Sequence, residues 1–219
     1  MRNLTSGITF TGKKMGRKPS GKINPRERIL RAAEHLFMQQ GYKNTTMRQI
    51  SEESGVGLSN IYYYFRNKYE IFYTLLTEPN HLTRFAPLIF AFFDEEIFPD
   101  NIEKLGEIIE KVYRDNRSYF ILLTIDALEF SGKHASMAVN FFSQELYDKF
   151  ISTIKPRFEG KVREDIDIFF IMRLIVQVYF NYFITEDLYG GRFHLGYPHE
   201  QTIKYIAKIL KEGFLKRNC

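Results

Sequence analysis

The chain has 219 residues, 44% of them hydrophobic, which is enough for a substantial core in one large or two small domains. Its one cysteine, Cys219, excludes an intrachain disulfide and any cysteine-built metal cluster, and it suits a reducing cytoplasm. The net charge of +5 is unevenly spread: residues 1–76 carry 13 basic and 5 acidic side chains and residues 77–219 carry 18 and 21, so only the first part is suited to meet a polyanion.

Residues 1–23 hold six Lys and Arg and no acid, interspersed with Gly, Ser and Thr, which predicts a basic flexible arm. Such an arm can track a minor groove, although a solvated tail is the simpler reading. It lacks the apolar run of a signal peptide. A first helix is expected from Asn24 (N-cap) and Pro25, with Glu27 placed to close a capping box. Ile29, Ala33, Leu36 and Phe37 form its buried stripe, and Gly41 ends it. Thr45 or Thr46 starts a second helix with Met47, Ile50 and Val56 facing inward, and Gly55 stands where the chain turns with positive φ. A short helix follows over about 58–65. Asn67 caps the next, with Glu70 three residues on, and that helix stops at Pro79.

Beyond Pro79 only helical periodicity survives, over about 81–94, 101–114, 117–131, 135–154, 163–187 and 199–216, so the fold is expected to be all-α. The most apolar stretch, 166–185, is interrupted by Asp167, Arg173, Gln177 and Asn181; a membrane span tolerates this poorly, and a buried helix is expected with no membrane partner.

Two short helices around a glycine turn can read a major groove, one lying in the groove and the other bridging the backbone. Thr46 offers a hydroxyl and free N–H groups to a phosphate, and Arg48 can reach a guanine edge or a phosphate. Leu58, Ser59 and Asn60 open the recognition helix; Asn60 can bond adenine bidentately and Leu58 can touch a thymine methyl. Tyr62, Tyr63 and Tyr64 point about 100° apart, so at least one packs inward with Phe65 while the others face phosphates. Lys68 is placed as a phosphate clamp. A purely packing role for the aromatic run is the alternative.

The residues Ile29-Leu30-Arg31-Ala32-Ala33, Phe37, Gly41-Tyr42, Thr45-Thr46, Ile50, Gly55-Val56 and Ile61-Tyr62-Tyr63-Tyr64-Phe65-Arg66-Asn67-Lys68 resemble the N-terminal domain of TetR-type transcriptional regulators. The likeness covers roughly 55 residues. It departs from the usual pattern at Gly57, where the family most often has a Ser cap, at Leu58, where a polar residue is frequent, and at Asn60, where a small one is common. The resemblance implies a helix-turn-helix over about 46–65 within a DNA-binding domain at 24–78. It further implies that 79–219 form an effector-binding and dimerisation domain, and that a homodimeric repressor leaves a palindromic operator on double-stranded DNA when a small molecule binds.

Within residues 79–219 the last helix carries Ile203, Ile206, Leu210 and Phe214 along one stripe. Together with Phe180 and the polar stripe Arg173, Gln177, Asn181, this marks an expected dimer interface, although the polar stripe can instead line a ligand cavity. Phe92, Tyr113, Tyr119, Asp126, Phe130, Phe142 and Tyr179 are candidates for an apolar effector pocket. Asp126, an acid in an apolar run, calls for a partner, either Arg117, Arg173 or a cationic ligand. The scattered histidines, the absence of a phosphate-binding glycine loop and the absence of a nucleophile elbow argue against an enzyme and imply no metal or cofactor. The rival binding reading is a constitutive DNA-binding repressor without a ligand switch.

Overall fold

The computed structural model describes residues 24–77, 100–134, 136, 147–148, 155–157, 162–163, 165–189 and 195–214. Among these the regular elements are helical, apart from an isolated bridge residue at Val162. In chain order they are α1 (Pro25–Asn44), α2 (Met47–Ser54), α3 (Leu58–Tyr64), α4 (Lys68–Thr77), α5 (Ile102–Asp115), α6 (Arg117–Glu129), a 3-10 turn at Lys155–Arg157, α7 (Ile168–Leu188) and α8 (His199–Phe214). The expected arm at 1–23 and the expected helices at 81–94 and 135–154 lie wholly or mostly outside the described residues.

Local chemistry explains the N-terminal boundaries. The Asn24 carboxamide accepts the N–H of Arg26, and Pro25 supplies a preset φ at the first helical position. Glu27 does not close the expected capping box, because its carboxylate turns to Arg31 one turn on, at 2.5 Å. At Gly41 (φ 80°, ψ 166°) α1 breaks and continues only to Asn44. The reciprocal box forms at α2 instead: the Thr46 hydroxyl accepts from the Gln49 N–H, and Gln49 accepts from the Thr46 N–H at 2.8 Å. Gly55 closes α2 in the left-handed region, at φ 61°. Asn67 Oδ1 accepts the N–H of Glu70 at the head of α4.

Helix α1 packs on α2 and α4 and, across the joint with the C-terminal helices, on α6. Ile29, Ala33, Phe37, Ile50, Ile61, Ile71 and Phe72 fill the N-terminal core. The C-terminal helices are assembled around α5, which lies against α6, α7 and α8. Phe130 joins the two cores: its ring lies 4.8 Å from that of Tyr42 and 5.0 Å from that of Phe72.

Helix α7 is long and apolar enough to cross a membrane by length and composition alone. Expected to be a buried helix, it instead buries one face, Ile168, Ile171, Met172, Ile175, Tyr179, Tyr182, Phe183 and Glu186, against α5 and α8. Among the described residues Phe170, Arg173, Leu174, Gln177 and Asn181 remain exposed on another face.

Candidate nucleic-acid interface

Helix α3 is anchored by Ile61, which is fully buried, and by Phe65 just past its end. Everything else on α3 is at or near the surface. Leu58, Ser59, Asn60, Tyr62 and Tyr63 are exposed, Tyr63 to 84%. Tyr64 is the inward member of the aromatic run: it is half-buried against the core and meets the Tyr63 ring edge-on at 5.2 Å. A core of this composition has no use for an 84% exposed tyrosine, whereas a phenol beside an amide and a hydroxyl makes a surface able to bond base edges and phosphates.

Helix α2 packs against α3. The hydroxyl and N–H of Thr46 are both engaged by Gln49, so Thr46 serves first as a cap. The N–H groups of Met47 and Arg48 at the head of α2, which have no intrahelical partner, are then the donors available to a phosphate. Arg48 is exposed, and its ion pair with Glu52, at 3.2 Å between highly exposed side chains, holds it weakly and leaves it able to swing to a phosphate.

Lys68 departs from its expected role. Its ammonium, which has three donors, points to the carbonyl oxygens of Tyr42 (2.6 Å), Thr45 (2.5 Å) and Lys43 (3.3 Å), and lies 4.1 Å from the centre of the Tyr42 ring. Burial lowers its pKa below the usual lysine value, with the nearby Glu129 carboxylate opposing that shift. Lys68 therefore fastens the turn between α1 and α2 rather than standing free to clamp DNA. Sequence reasoning missed Gln49, although its position three residues after Thr46 is a capping-box signal. It also missed Arg26, whose guanidinium covers the Phe65 ring at 5.3 Å.

The residues expected to form an effector pocket divide into two groups. Tyr113 and Tyr179 both stack with Phe183 in the C-terminal core. The Tyr113 hydroxyl donates to Asp187 and the Tyr179 hydroxyl to the Ile102 carbonyl. Burial raises both phenol pKa values, and that of the buried Tyr119 is pushed up to about 12 by the same cause. Asp126 and Phe130 belong instead to the joint between the two cores. The partner of Asp126 is His134, not Arg117 or Arg173: Nδ1 of His134 lies 2.5 Å from the Asp126 carboxylate. Arg117 pairs with Asp187, and Arg173 lies over the Phe169 ring. Phe92 and Phe142 lie outside the described residues.

The expected dimer residues divide as well. Ile203 is buried inside its own chain against α5, and Ile206 and Leu210 are half-buried on the same core, so this stripe packs at least in part on its own chain. The α8 face left exposed carries Tyr205 and Ile209, the latter 71% exposed. On α7, Arg173, Gln177 and Asn181 are exposed and Phe180 is half-buried. Arg173 and Gln177 border an open groove of about 550 Å³ with Phe169, Phe170 and Leu174. The side chain of Phe214 lies outside the described residues.

Residues 29–74 match the family model for bacterial regulatory proteins of the tetR family. Over 151 residues the chain is 30% identical to the uncharacterized HTH-type transcriptional regulator YhgD of Bacillus subtilis (strain 168), covering 64% of this chain and 71% of that one. It is 29% identical over 147 residues to the HTH-type transcriptional regulator AcrR of Shigella flexneri, covering 63% and 66%. Its fold is similar to that of the fatty acid degradation regulator FadR from Bacillus halodurans, with a TM-score of 0.59 at 18% identity over 87% of this chain and 96% of that one.

Proposed function

The chain belongs to the tetR family of bacterial regulatory proteins, and from that premise we propose that it acts as a homodimeric repressor released from a palindromic operator by a small molecule. As a member of that family it is a DNA-binding transcriptional regulator and not an enzyme. The observation that carries the reading is α3, fixed from beneath by Ile61 and presenting Leu58, Ser59, Asn60, Tyr62 and Tyr63 outward. With Arg48 of α2 these α3 side chains form one reading face, of a size that a single half-site of a few base pairs can engage.

Two observations support a dimer. Helix α7 exposes Phe170 and Leu174, and α8 exposes Tyr205 and Ile209, apolar side chains that a second copy can cover. Two recognition helices must also stand about 34–36 Å apart to enter successive major grooves, which one copy cannot achieve. A largely apolar effector suits C-terminal helices whose interior is lined by Tyr113, Tyr119, Tyr179 and Phe183. Release follows if the effector prefers a spacing of the two reading heads that the operator does not, and the shift is limited by its differential affinity for the two states.

The experiment is a thermal-shift screen of apolar metabolites, followed by titration of each stabilising compound into the protein–operator complex. The reading expects at least one binder that lowers operator affinity. Binders that all leave operator affinity unchanged refute the switch.

A further inference from the structure

The turn joining α1 to α2 is held from two sides by residues distant in sequence. From α4, Lys68 takes its carbonyls, those of Tyr42, Lys43 and Thr45. From the C-terminal helices, Glu129 at the end of α6 takes its N–H groups: Tyr42 N–H donates to Oε1 at 3.0 Å and Lys43 N–H to Oε2 at 2.8 Å. Gly41 makes this possible. Its φ of 80° takes the backbone out of the helical path, and a Cβ there would lie 2.9 Å from Glu129 Oε1, so only a residue without a side chain admits the carboxylate. Asn44 and Thr45 follow, and then Thr46, which caps α2.

We propose that Glu129 is a positioning residue for DNA reading: by holding the N–H groups of Tyr42 and Lys43, its carboxylate sets the angle at which α2 and α3 meet the groove. The other contacts across this joint are the Tyr69–His134 hydrogen bond, which reaches α4 and not the turn, and ring contacts such as those of Phe130 with Tyr42 and Phe72, which are weakly directional and permit sliding. Two charge-assisted bonds from one carboxylate to consecutive N–H groups are directional and fix the turn. Base-edge bonds tolerate little misplacement, whereas phosphate attraction is insensitive to it, so losing Glu129 falls on sequence-specific binding. The proposal rests on DNA binding but not on the effector switch.

The test uses the full chain and its Glu129→Ala and Glu129→Gln variants. The probes are the duplex that the unaltered protein selects from a random pool and a scrambled duplex of equal length and composition. Affinities are measured well below each protein's melting temperature. Glu129→Ala should weaken binding to the selected duplex about tenfold, the equivalent of one to two net hydrogen bonds, with scrambled-duplex affinity within about twofold. Glu129→Gln keeps one acceptor and should fall between; being isosteric, it also keeps the test open if the alanine variant does not fold. Removing an acid by itself strengthens attraction to DNA, so Glu107→Ala, at an exposed position on α5, controls for charge and should weaken neither duplex. Unchanged affinity for the selected duplex in both Glu129 variants, or equal losses on both duplexes, overturns the proposal. An unaltered protein that selects no duplex overturns DNA reading itself, and the proposal with it.

Discussion

The imidazole Nδ1 of His134 lies 2.5 Å from Oδ1 of Asp126, and both side chains are shut off from solvent. The second carboxylate oxygen accepts the His134 backbone N–H, and Nε2 of the ring meets the Tyr69 hydroxyl of α4 at 2.7 Å. With the proton on Nδ1, the ring donates to Asp126 and accepts from Tyr69, so a polar chain runs from the C-terminal helices into the N-terminal ones. Asp126→Ala should destabilise the protein by about 1–3 kcal/mol for each of the two His134 donors, Nδ1–H and backbone N–H, that it leaves buried without this acceptor. Tyr69→Phe should cost only about 0.5–1.5 kcal/mol. Urea denaturation measures both; equal, small losses would show that the chain contributes little.

Lys68 and Arg48 should respond oppositely to truncation. Lys68→Ala removes three bonds to backbone carbonyls, so it should lower stability by about 1.5–3 kcal/mol and leave the salt dependence of DNA binding unchanged. Arg48→Ala should leave stability nearly unchanged and flatten the slope of log affinity against log salt by about one unit. Melting curves and binding isotherms at several salt concentrations separate them. A flatter slope in the Lys68 variant would show that its ammonium leaves the turn to meet a phosphate.

Gly106 faces the Tyr179 ring so closely that a Cβ would lie 2.6 Å from Cε1 and 2.8 Å from Cζ. The ring cannot easily yield, because its hydroxyl is bonded to the Ile102 carbonyl and its face is stacked on Phe183. Gly106→Ala should therefore cost about 1–3 kcal/mol by overpacking, despite the better helix propensity of alanine. A stabilising effect in chemical denaturation would show that the contact between α5 and α7 is looser than described.

These cases show which features could be read along the chain. Asn24, Pro25, Gly55 and the Asn67–Glu70 spacing declare themselves because their partners lie within four residues. The oddness of Asp126 was also legible, since an acid in an apolar run requires a partner. The partner proved to be the histidine eight residues on, across a turn that periodicity does not place. Lys68 and Glu129 were not legible in their actual roles: each binds backbone groups, and backbone carries no residue-type signal. The Ile203, Ile206, Leu210 stripe was recognised as one face, but spacing does not say whether that face meets its own core or a second copy.

His199 sits between two carboxylates, with Nε2 2.9 Å from Glu110 of α5 and Nδ1 3.0 Å from Glu186 of α7. Arg114 faces the same Glu110, and the Tyr182 hydroxyl faces Glu186 and Nδ1 of the ring. Burial disfavours the imidazolium, but the hydrogen bonds to Glu110 and Glu186 outweigh it and hold the pKa above the ordinary 6.5. A raised folded pKa means that the stabilisation is fully present below pH 6.5 and is lost as pH rises through the folded value. Unfolding free energy should thus fall with rising pH in the window just above 6.5, and His199→Ala should remove that slope. An unaltered slope in the variant would assign it to another group.

The most direct test of the account is to select duplexes from a random pool with the full chain and to measure how many copies bind the winner. The account predicts an enriched palindrome with half-sites one helical turn or a multiple apart, bound by two copies with Tyr63 and Asn60 protected from chemical modification. No enrichment at all, or an asymmetric site filled by a single copy, would contradict it.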